Sequence, residues 1–417
     1  MVVGNSAAAL SAIRAIRAKG STHSITLISR EDCCAYSPVL TTYYLCDRIE
    51  GKNLFIVDDG FYRNADVECV LGKEVVEVRP SEQVVALDDG RKVNYDYLLI
   101  ATGASPKTLD GIDSDITKDL CYLRTIGNAK RIKELRKQAK EVVLIGGGLV
   151  SMQIADAIHS RGVRLTFVIG SRYILSQNVD EDCATIIERE IESNDEGTFL
   201  FGRNVSKINK KNGKYHLLLD TGEELIADMV IVGKGVKPNT HLVKNSGIRI
   251  NKGILVNERM RTNVENIYAA GDVTEGKNRI TGKVEPVPNW VNACEQGRIA
   301  GLNMVGVEET FPGSVTENVT HLFGLAIAAI GMTKVKDEDK HMEELKVMDY
   351  EKKLYRKMVV SGNKLIGAVL LGDIQDMGVV RNIIVNSVDI SPFKSDIPKI
   401  PLNYGKNILF HSIWERR

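Results

Sequence analysis

The chain has 417 residues, of which 55 are Lys or Arg and 54 are Asp or Glu. This length can fill the cores of two or three domains, and a net charge of +1 gives no overall attraction to nucleic acid or anionic membranes. The longest strongly apolar stretch, residues 322–332, is shorter than the roughly 20 residues that cross a bilayer, so we predict no membrane span and no nucleic-acid partner.

The N-terminus and the cysteines indicate a reducing compartment. The opening residues lack the charged and apolar regions of a secretory signal, and the seven cysteines contain no C-x-x-C pair. Such usage is typical of free thiols, not of a disulfide framework or a zinc site. We therefore expect a cytoplasmic protein without a metal centre.

Short apolar strands alternate with helical stretches through the first 310 or so residues, which predicts an α/β fold with parallel sheets covered by helices. The clearest strands are rich in Ile, Val and Leu and span residues 24–29, 97–101, 142–145, 165–169, 229–232 and 267–270. Segments 1–29 and 142–169 share one design of strand, Gly-containing turn, helix and strand. We predict two Rossmann-like, three-layer dinucleotide-binding domains.

The pattern changes after Gly306. Residues 355–360 and 365–371 predict two antiparallel strands joined by a hairpin turn at 361–363. We expect a small α+β domain over residues 312–390, followed by an extended, proline-containing tail over 391–417.

A basic run at residues 129–141 holds six Lys or Arg. We interpret it as a solvated helix face, with a docking site for an acidic electron carrier as the alternative.

The first Gly turn lies near the start of the chain. Residues 2–9 follow the G-x-G-x-x-G scheme from Gly4, with Ser6 and Ala9 at the second and third Gly positions. Small residues are needed because the backbone approaches a pyrophosphate closely, and the helix predicted over 7–19 would direct free N–H groups at the phosphates. Glu31 follows the next strand, where an acidic side chain can accept hydrogen bonds from ribose hydroxyls.

The second Gly turn, residues 142–151, repeats the scheme inside a complete strand–turn–helix unit, with Ser151 at the last Gly position. Ile169 occupies the position where an acidic residue would bind an NAD ribose, and Arg172 could instead contact a 2′-phosphate. The turn therefore predicts binding of NAD(H) or NADP(H) but does not distinguish between the two. The alternative is a domain that keeps this fold but binds nicotinamide weakly or not at all.

Five further segments follow in a fixed order: 99–104, 232–239, 267–273, 290–301 and 355–372. In this order and spacing the chain closely resembles the FAD-dependent pyridine nucleotide-disulfide oxidoreductase superfamily. The resemblance extends to its NADH–rubredoxin reductases, NADH oxidases, coenzyme A disulfide reductases and nitrite reductase flavin domains, and covers nearly the whole chain. It implies an FAD domain over residues 1–108 and 234–311 and an NAD(P) domain over 109–233.

The resemblance also implies where the cofactors bind. Asp272 would accept from the ribityl hydroxyls of FAD, and the helix opened by Pro288 would direct its N-terminus at the flavin. We expect FAD contacts from Gly4, Asn5, Ser6, Ala7, Ala8, Glu31, Ser37, Pro38, Val75, Ala101, Thr102, Gly103, Gly271, Asp272, Asn289 and Trp290. We expect NAD(P) contacts from Gly146, Gly148, Leu149, Val150, Ser151, Gln153, Arg172, Gly233 and Gly235.

The sequence departs from the family at the redox cysteine. Aligned on Tyr43 and Tyr44, Val39 takes that cysteine's place, and valine cannot form a thiolate, a sulfenic acid or a mixed disulfide. The cysteines nearest in sequence lie off this register, and we interpret them as idle thiols: Cys33, Cys34 and Cys46. Gln153 stands where the family carries a Glu near the nicotinamide.

These features predict an FAD-dependent NAD(P)H:acceptor oxidoreductase whose chemistry is centred on the flavin, because a flavin can take a hydride and release electrons singly. The expected partner is a ferredoxin- or rubredoxin-like electron-transfer protein or the catalytic subunit of a larger complex, and the resemblance implies a homodimer as one assembly. One alternative is an NADH oxidase that reduces oxygen. Another is a flavin-bearing scaffold subunit with a decayed nicotinamide site.

Overall fold

The computed structural model describes residues 1–159, 162–194, 197–335 and 341–399. The chain divides into two compact units: unit 1 comprises Met1–Lys107 and Val236–Val315, and unit 2 comprises Thr108–Gly235 and the described residues from Thr316 onward. Within these ranges, every helix is too short or too polar to cross a membrane.

The strands in chain order are β1 (Val2–Val3), β2 (Ile25–Ser29), β3 (Val67–Leu71), β4 (Val75–Arg79), β5 (Val84–Leu87), β6 (Lys92–Asn94), β7 (Leu98–Ile100), β8 (Ala104–Pro106), β9 (Glu141–Ile145), β10 (Arg164–Ile169), β11 (Thr198–Phe201), β12 (Val205–Lys211), β13 (Lys214–Leu219), β14 (Glu224–Ala227), β15 (Met229–Val232), β16 (Val236–Pro238), β17 (Ile254–Leu255), β18 (Ile267–Ala269), β19 (Thr274–Lys277), β20 (Val284–Glu285), β21 (Glu317–Leu322), β22 (Leu325–Gly331), β23 (Met342–Asp349), β24 (Leu354–Ser361) and β25 (Lys364–Leu371). The α-helices are α1 (Ala7–Ala18), α2 (Thr41–Leu45), α3 (Asp59–Asn64), α4 (Ser114–Asp119), α5 (Ile126–Leu135), α6 (Leu149–His159), α7 (Glu181–Ser193), α8 (Trp290–Met304) and α9 (Met377–Val385).

Unit 1 has three layers. A parallel sheet in the order β18-β7-β1-β2-β3 carries helices on one face and the antiparallel sheet β4-β5-β6 on the other. The central strands are short and almost wholly apolar because both faces are buried.

Helices α1 and α8 pack unusually closely in unit 1. A Cβ at Gly297 would lie 2.1 Å from the Ala8 carbonyl oxygen, and one at Gly301 would lie 2.5 Å from that of Ala12. The small residues of the two helices therefore bring the backbones together, with the first turn of α1 against the middle of α8.

Unit 2 contains a similar arrangement and a further sheet. A parallel sheet, β11-β10-β9-β15, packs against the antiparallel sheet β12-β13-β14, and their shared core contains Val143, Ile145 and Leu217. The chain from Thr316 forms a five-stranded antiparallel sheet in the order β21-β22-β25-β24-β23, together with α9. We call this five-stranded sheet the C-terminal sheet.

The predicted fold class is confirmed. All six predicted strands are present, with each end within one residue of the expected position. The predicted hairpin turn joins β24 to β25, where Gly362 has a φ of +61°.

The predicted extended tail is wrong over its described part. Residues 391–399 contain a 3-10 helix at Ser391–Phe393, which starts readily because Pro392 lies in the first turn and has no N–H to leave unpaired. Phe393 and Ile397 are buried, and the burial of these apolar side chains favours a compact turn of chain over an extended one. Residues 400–417, where the rest of the prediction falls, lie outside the described residues.

The basic run 129–141 forms the second half of α5 and the turn that follows. Arg131 pairs with Asp119 at 3.0 Å, and Lys137 pairs with Glu134 at 2.7 Å. Arg136 is buried and donates to the Ala157 carbonyl. Several of these charges therefore serve internal contacts, which reduces the support for a docking site.

A buried ion pair provides a stability test in unit 2. Lys357 is 1% exposed, and its Nζ lies 2.9 Å from Asp180 and 2.5 Å from Glu344. We expect Lys357→Met to lower the free energy of unfolding by about 3 kcal/mol, because it removes the buried cation and leaves Asp180 and Glu344 with only the partly exposed Lys346. Lys352→Met, which removes an exposed pair with Asp349, is the control and should lower the free energy of unfolding by less than about 1 kcal/mol. Urea denaturation measures both variants. Equal losses would contradict this.

Candidate nucleotide-binding sites

Several of the predicted FAD residues of unit 1 lie at one edge of its parallel sheet. Strands β18, β7, β1 and β2 lie in this order as parallel neighbours, and their carboxyl ends lie along one edge of the sheet. The residues that follow them are Gly4, Glu31, Thr102 and Gly271. In open parallel sheets this edge is where ligands bind.

Gly4 adopts a conformation that only glycine accepts readily. Its φ is +116°, and a Cβ there would lie 2.1 Å from the Ala101 carbonyl oxygen. Ser6 precedes α1 without a side-chain cap, and the first turn contains no acidic residue. The N–H groups of this turn are thus left for an anion, so the cradle fits the pyrophosphate of FAD.

Polar side chains shape the rim of this turn. Asn5 donates to the Cys33 carbonyl at 3.2 Å and accepts from the Tyr62 hydroxyl at 2.8 Å, so its amide holds the loop in place. The Tyr36 hydroxyl donates to Glu31 Oε2 at 2.8 Å. That bond orients the Glu31 carboxylate.

Thr102 and Gly103 are hydrogen-bonded to Asn239, which directly follows β16, where the chain re-enters unit 1. Thr102 Oγ1 donates to the Asn239 carbonyl at 3.0 Å, and Asn239 Nδ2 donates back to the Thr102 carbonyl at 2.8 Å. The Asn239 N–H donates to Gly103 O at 3.0 Å, and Ser105 Oγ donates to Asn239 Oδ1 at 2.7 Å. Asn239, a residue that we did not predict for the site, therefore fixes the Ala101–Gly103 segment.

Gln296 holds the Gly271–Asp272 loop and was also missed by the sequence analysis. It is 3% exposed, and its Oε1 accepts from the Gly271 N–H at 2.8 Å and from Thr274 Oγ1 at 3.1 Å. Its Nε2 donates to Ser314 Oγ at 3.2 Å. The signal available in the sequence was a Gln within a helical run of mostly small residues; the structure shows that its amide is buried and so must find partners.

The start of α8 differs from the expectation. The helix begins at Trp290, and Asn289 caps it by accepting from the Asn292 N–H at 2.8 Å; Pro288 precedes this cap. Asn289 Nδ2 donates to the Val315 carbonyl at 2.9 Å. The Asn289 amide is therefore engaged within the protein, and Trp290 packs partly buried against the helix-side core.

The other predicted FAD residues fall into two groups. Ala7 and Ala8 are buried in α1, and Val75 is 4% exposed in the core between the two sheets, so the Val75 side chain is turned away from the sheet edge. Ser37 and Pro38 begin a short 3-10 helix that also carries Val39, which is 57% exposed.

Cys34, the cysteine nearest in sequence to this segment, has surroundings that make its thiol poorly reactive. Cys34 Sγ donates to Asp59 Oδ1 at 3.1 Å. Burial and, after it, this hydrogen bond raise the pKa of the Cys34 thiol to about 11, so the thiolate is scarce near neutral pH. Among the described residues no group of three or more His, Cys, Asp or Glu is placed to hold a metal ion.

The predicted NAD(P) residues of unit 2 gather in the same manner. Strand β9 lies between β10 and β15, so Gly146, Arg172 and Gly233 follow neighbouring carboxyl ends. Gly146 has a φ of +110°, and a Cβ there would lie 2.5 Å from Gly233 O. This cradle is built like the one at Gly4.

Ser151 and Ile169 alter the interior of the second turn. Ser151 is fully buried, its Oγ has no hydrogen-bond partner in the described part of the chain, and a Cβ at Gly233 would lie 1.9 Å from that oxygen. Ile169 packs its Cδ1 over Gly147, where a Cβ would lie 2.8 Å away. The Ser151 side chain thus fits because residue 233 is glycine. The apolar side chain of Ile169 covers the turn, at the position where an acidic residue would bind an NAD ribose.

The remaining predicted NAD(P) residues are more open. Gly148 directly precedes α6, Leu149 and Val150 begin it, and Val150 is 40% exposed. Gly235 and Arg172 are exposed at the ends of β15 and β10. Gln153 is directed elsewhere, because its Nε2 donates to Thr320 Oγ1 in β21 at 2.9 Å.

Comparisons with known proteins cover most of the chain. Residues 1–297 match the family described as pyridine nucleotide-disulphide oxidoreductase, and residues 318–388 match the rubredoxin NAD+ reductase C-terminal domain. The NADH-dependent phenylglyoxylate dehydrogenase subunit epsilon of Aromatoleum evansii is 30% identical over 414 residues, which is 98% of this chain and 96% of the relative. Rubredoxin-NAD(+) reductase of Pseudomonas putida is 27% identical over 84% of this chain and 92% of the relative.

A solved structure shares the fold. The covalent putidaredoxin reductase–putidaredoxin complex superposes with a TM-score of 0.89 at 20% identity, over 98% of this chain and 97% of that chain. Two relatives from Bacillus subtilis are longer, and the chain spans about half of each, 48% and 47%.

Proposed function

Because this chain belongs to the pyridine nucleotide-disulphide oxidoreductase family and is an FAD-dependent NAD(P)H oxidoreductase, we propose that it passes electrons between a nicotinamide nucleotide and a partner protein. The observation that carries the proposal is Val39, which is 57% exposed at the position of the family's redox cysteine. Burial and, after it, the hydrogen bond to Asp59 raise the pKa of the Cys34 thiol, so Cys34 is not suited to receive electrons there. The flavin is then the only expected outlet.

We assign FAD to unit 1 and the nicotinamide nucleotide to the Gly146 edge of unit 2. The divisions of the chain after Lys107 and Gly235 support our proposed FAD domain, residues 1–108 and 234–311, and NAD(P) domain, residues 109–233. FAD, when bound, supplies hydride acceptance and single-electron release.

The protein's own groups bind and orient FAD in this proposal. The first turn of α1 binds the pyrophosphate, Glu31 accepts from ribose, and Asp272 accepts from the ribityl chain. Gln296 positions the Gly271–Asp272 loop by accepting a hydrogen bond from the Gly271 N–H.

The partner is proposed by chemistry and by relationship. One relative is named as a subunit of a dehydrogenase and another for rubredoxin, so we propose an electron-transfer protein or a subunit of a larger complex as the partner. No two of the seven cysteines, all within the described residues, form a disulfide, which supports our proposal of a cytoplasmic location. A homodimer stays a prediction.

Anaerobic titration tests the proposal. We expect NADH or NADPH to bleach the flavin, and dithionite to deliver two electrons per flavin, because no thiol pair adds a second redox centre. Cys34→Ser should leave both results unchanged. Uptake of four electrons per flavin would overturn the flavin-only outlet.

The same experiment separates the alternatives. Steady oxygen uptake with NADH alone, at rates that a partner protein does not raise, would favour an NADH oxidase. A flavin that neither NADH nor NADPH reduces would favour a scaffold subunit.

A further inference from the structure

The loop between β10 and α7, residues 170–180, is supported from the C-terminal sheet and in turn supports the second Gly turn. The Leu175 N–H donates to the Gly147 carbonyl at 2.7 Å, so this loop contacts the backbone of the nucleotide cradle directly. Arg172 belongs to the same loop and is exposed at the carboxyl edge of the sheet. The position of the loop therefore sets the shape of the proposed nucleotide site.

Leu175 is held in a conformation that it would not keep alone. Its φ is +50°, in the left-handed region that costs a non-glycine residue about 1 kcal/mol or more, and its side chain is 1% exposed. A strained residue of this kind persists only where surrounding contacts hold it.

Two sets of contacts from the C-terminal part of unit 2 provide that support. Lys334 Nζ donates to the Tyr173 hydroxyl at 3.0 Å and also to the Ser176 carbonyl, which are the residues two before and one after Leu175. At the end of the loop, Asp180 accepts from the Tyr355 hydroxyl at 2.7 Å and from Lys357 Nζ at 2.9 Å. Both ends of the Leu175 segment are thereby fixed.

Helix α6, which leaves the same Gly turn, is tied to the C-terminal sheet as well. Gln153 donates to Thr320, and Asp156 Oδ1 accepts from the Phe323 N–H at 2.7 Å. The sheet therefore supports both chain segments that flank the cradle.

We propose that Lys334 is a positioning residue for nicotinamide nucleotide binding, acting through the 170–180 loop on the Gly147 turn. The inference rests on the proposed function, because it concerns the same nucleotide site. Lys334 does not contact the nucleotide in this proposal; it lowers the cost of holding the loop in the binding conformation.

Lys334→Met in the full-length flavoprotein tests this. We expect the KM for NAD(P)H and the calorimetric Kd for NAD(P)+ to rise about tenfold, the effect of losing a hydrogen bond from a charged donor. The limiting rate of flavin reduction at saturation should change less than about twofold, since bound nucleotide restores the loop. Hydrogen exchange at the Leu175 amide should become faster.

Matched variants separate positioning from general stability. Lys353→Met removes a 2.6 Å contact from the β23–β24 turn to Glu190 on α7, outside the loop, and should leave the Kd unchanged. Lys334→Arg keeps a charged donor and should bind within about threefold of wild type. Tyr173→Phe, which removes one acceptor of Lys334, should give an intermediate loss.

The outcomes distinguish the two proposals. If the wild-type protein binds neither NAD+ nor NADP+ and neither NADH nor NADPH reduces it, the proposed function fails and the inference fails with it. If the wild type binds a nucleotide and Lys334→Met binds it equally tightly, only the positioning role is overturned. An equal loss in Lys353→Met would also overturn it.

Discussion

Gly4→Ala should yield a protein that purifies without flavin. The added Cβ would lie 2.1 Å from the Ala101 carbonyl oxygen at a φ of +116°, so the β1–α1 turn must move away from the sheet edge. Displacement and strain together should cost about 3 kcal/mol, which corresponds to roughly 100-fold weaker FAD binding. The flavin absorbance of the purified protein and its titration with FAD measure this directly.

Gly20→Ala is the matched control for that variant. Gly20 also has a positive φ, +70°, but a Cβ there would meet nothing within 4 Å. It therefore carries the strain of a left-handed alanine without the collision at the cradle, and should keep its flavin. Full flavin content in Gly4→Ala would show that the first turn does not hold the pyrophosphate.

Gly146→Ala should separate the two cofactor sites. A Cβ there would lie 2.5 Å from the Gly233 carbonyl oxygen at a φ of +110°, which disturbs the second cradle alone. We expect normal flavin content but a fall of about 100-fold in kcat/KM for NAD(P)H, again from about 3 kcal/mol. Stopped-flow reduction of the bound flavin provides the measurement.

Gly213→Ala serves as its control, since Gly213 has a φ of +79° in the β12–β13 turn and open space around it. Reduction should proceed at the wild-type rate in that variant. If Gly146→Ala were reduced as fast as wild type, the nicotinamide nucleotide would have to bind elsewhere.

The sequence by itself determined the features that depend on neighbouring residues. Apolar runs, several of them ending in glycine, predicted most strands of both parallel sheets but not β3 and β11, because strands buried on both faces are rich in Ile, Val and Leu. The Gly4 and Gly146 turns were predicted because a small-residue spacing of a few positions is a local constraint on the backbone. The absence of a cysteine at Val39 was likewise visible without any structure.

Only the tertiary structure decided which side chains hold those turns in place. Gln296 contacts Gly271, Asn239 contacts Thr102, and Lys334 contacts Tyr173 across 25, 137 and 161 residues of sequence, respectively. No periodic pattern encodes such pairs, because each depends on where separate elements pack. The same physical reason explains Asn289, whose amide proved to cap α8 and bond to Val315: the residue type was readable, but its partners came from the fold.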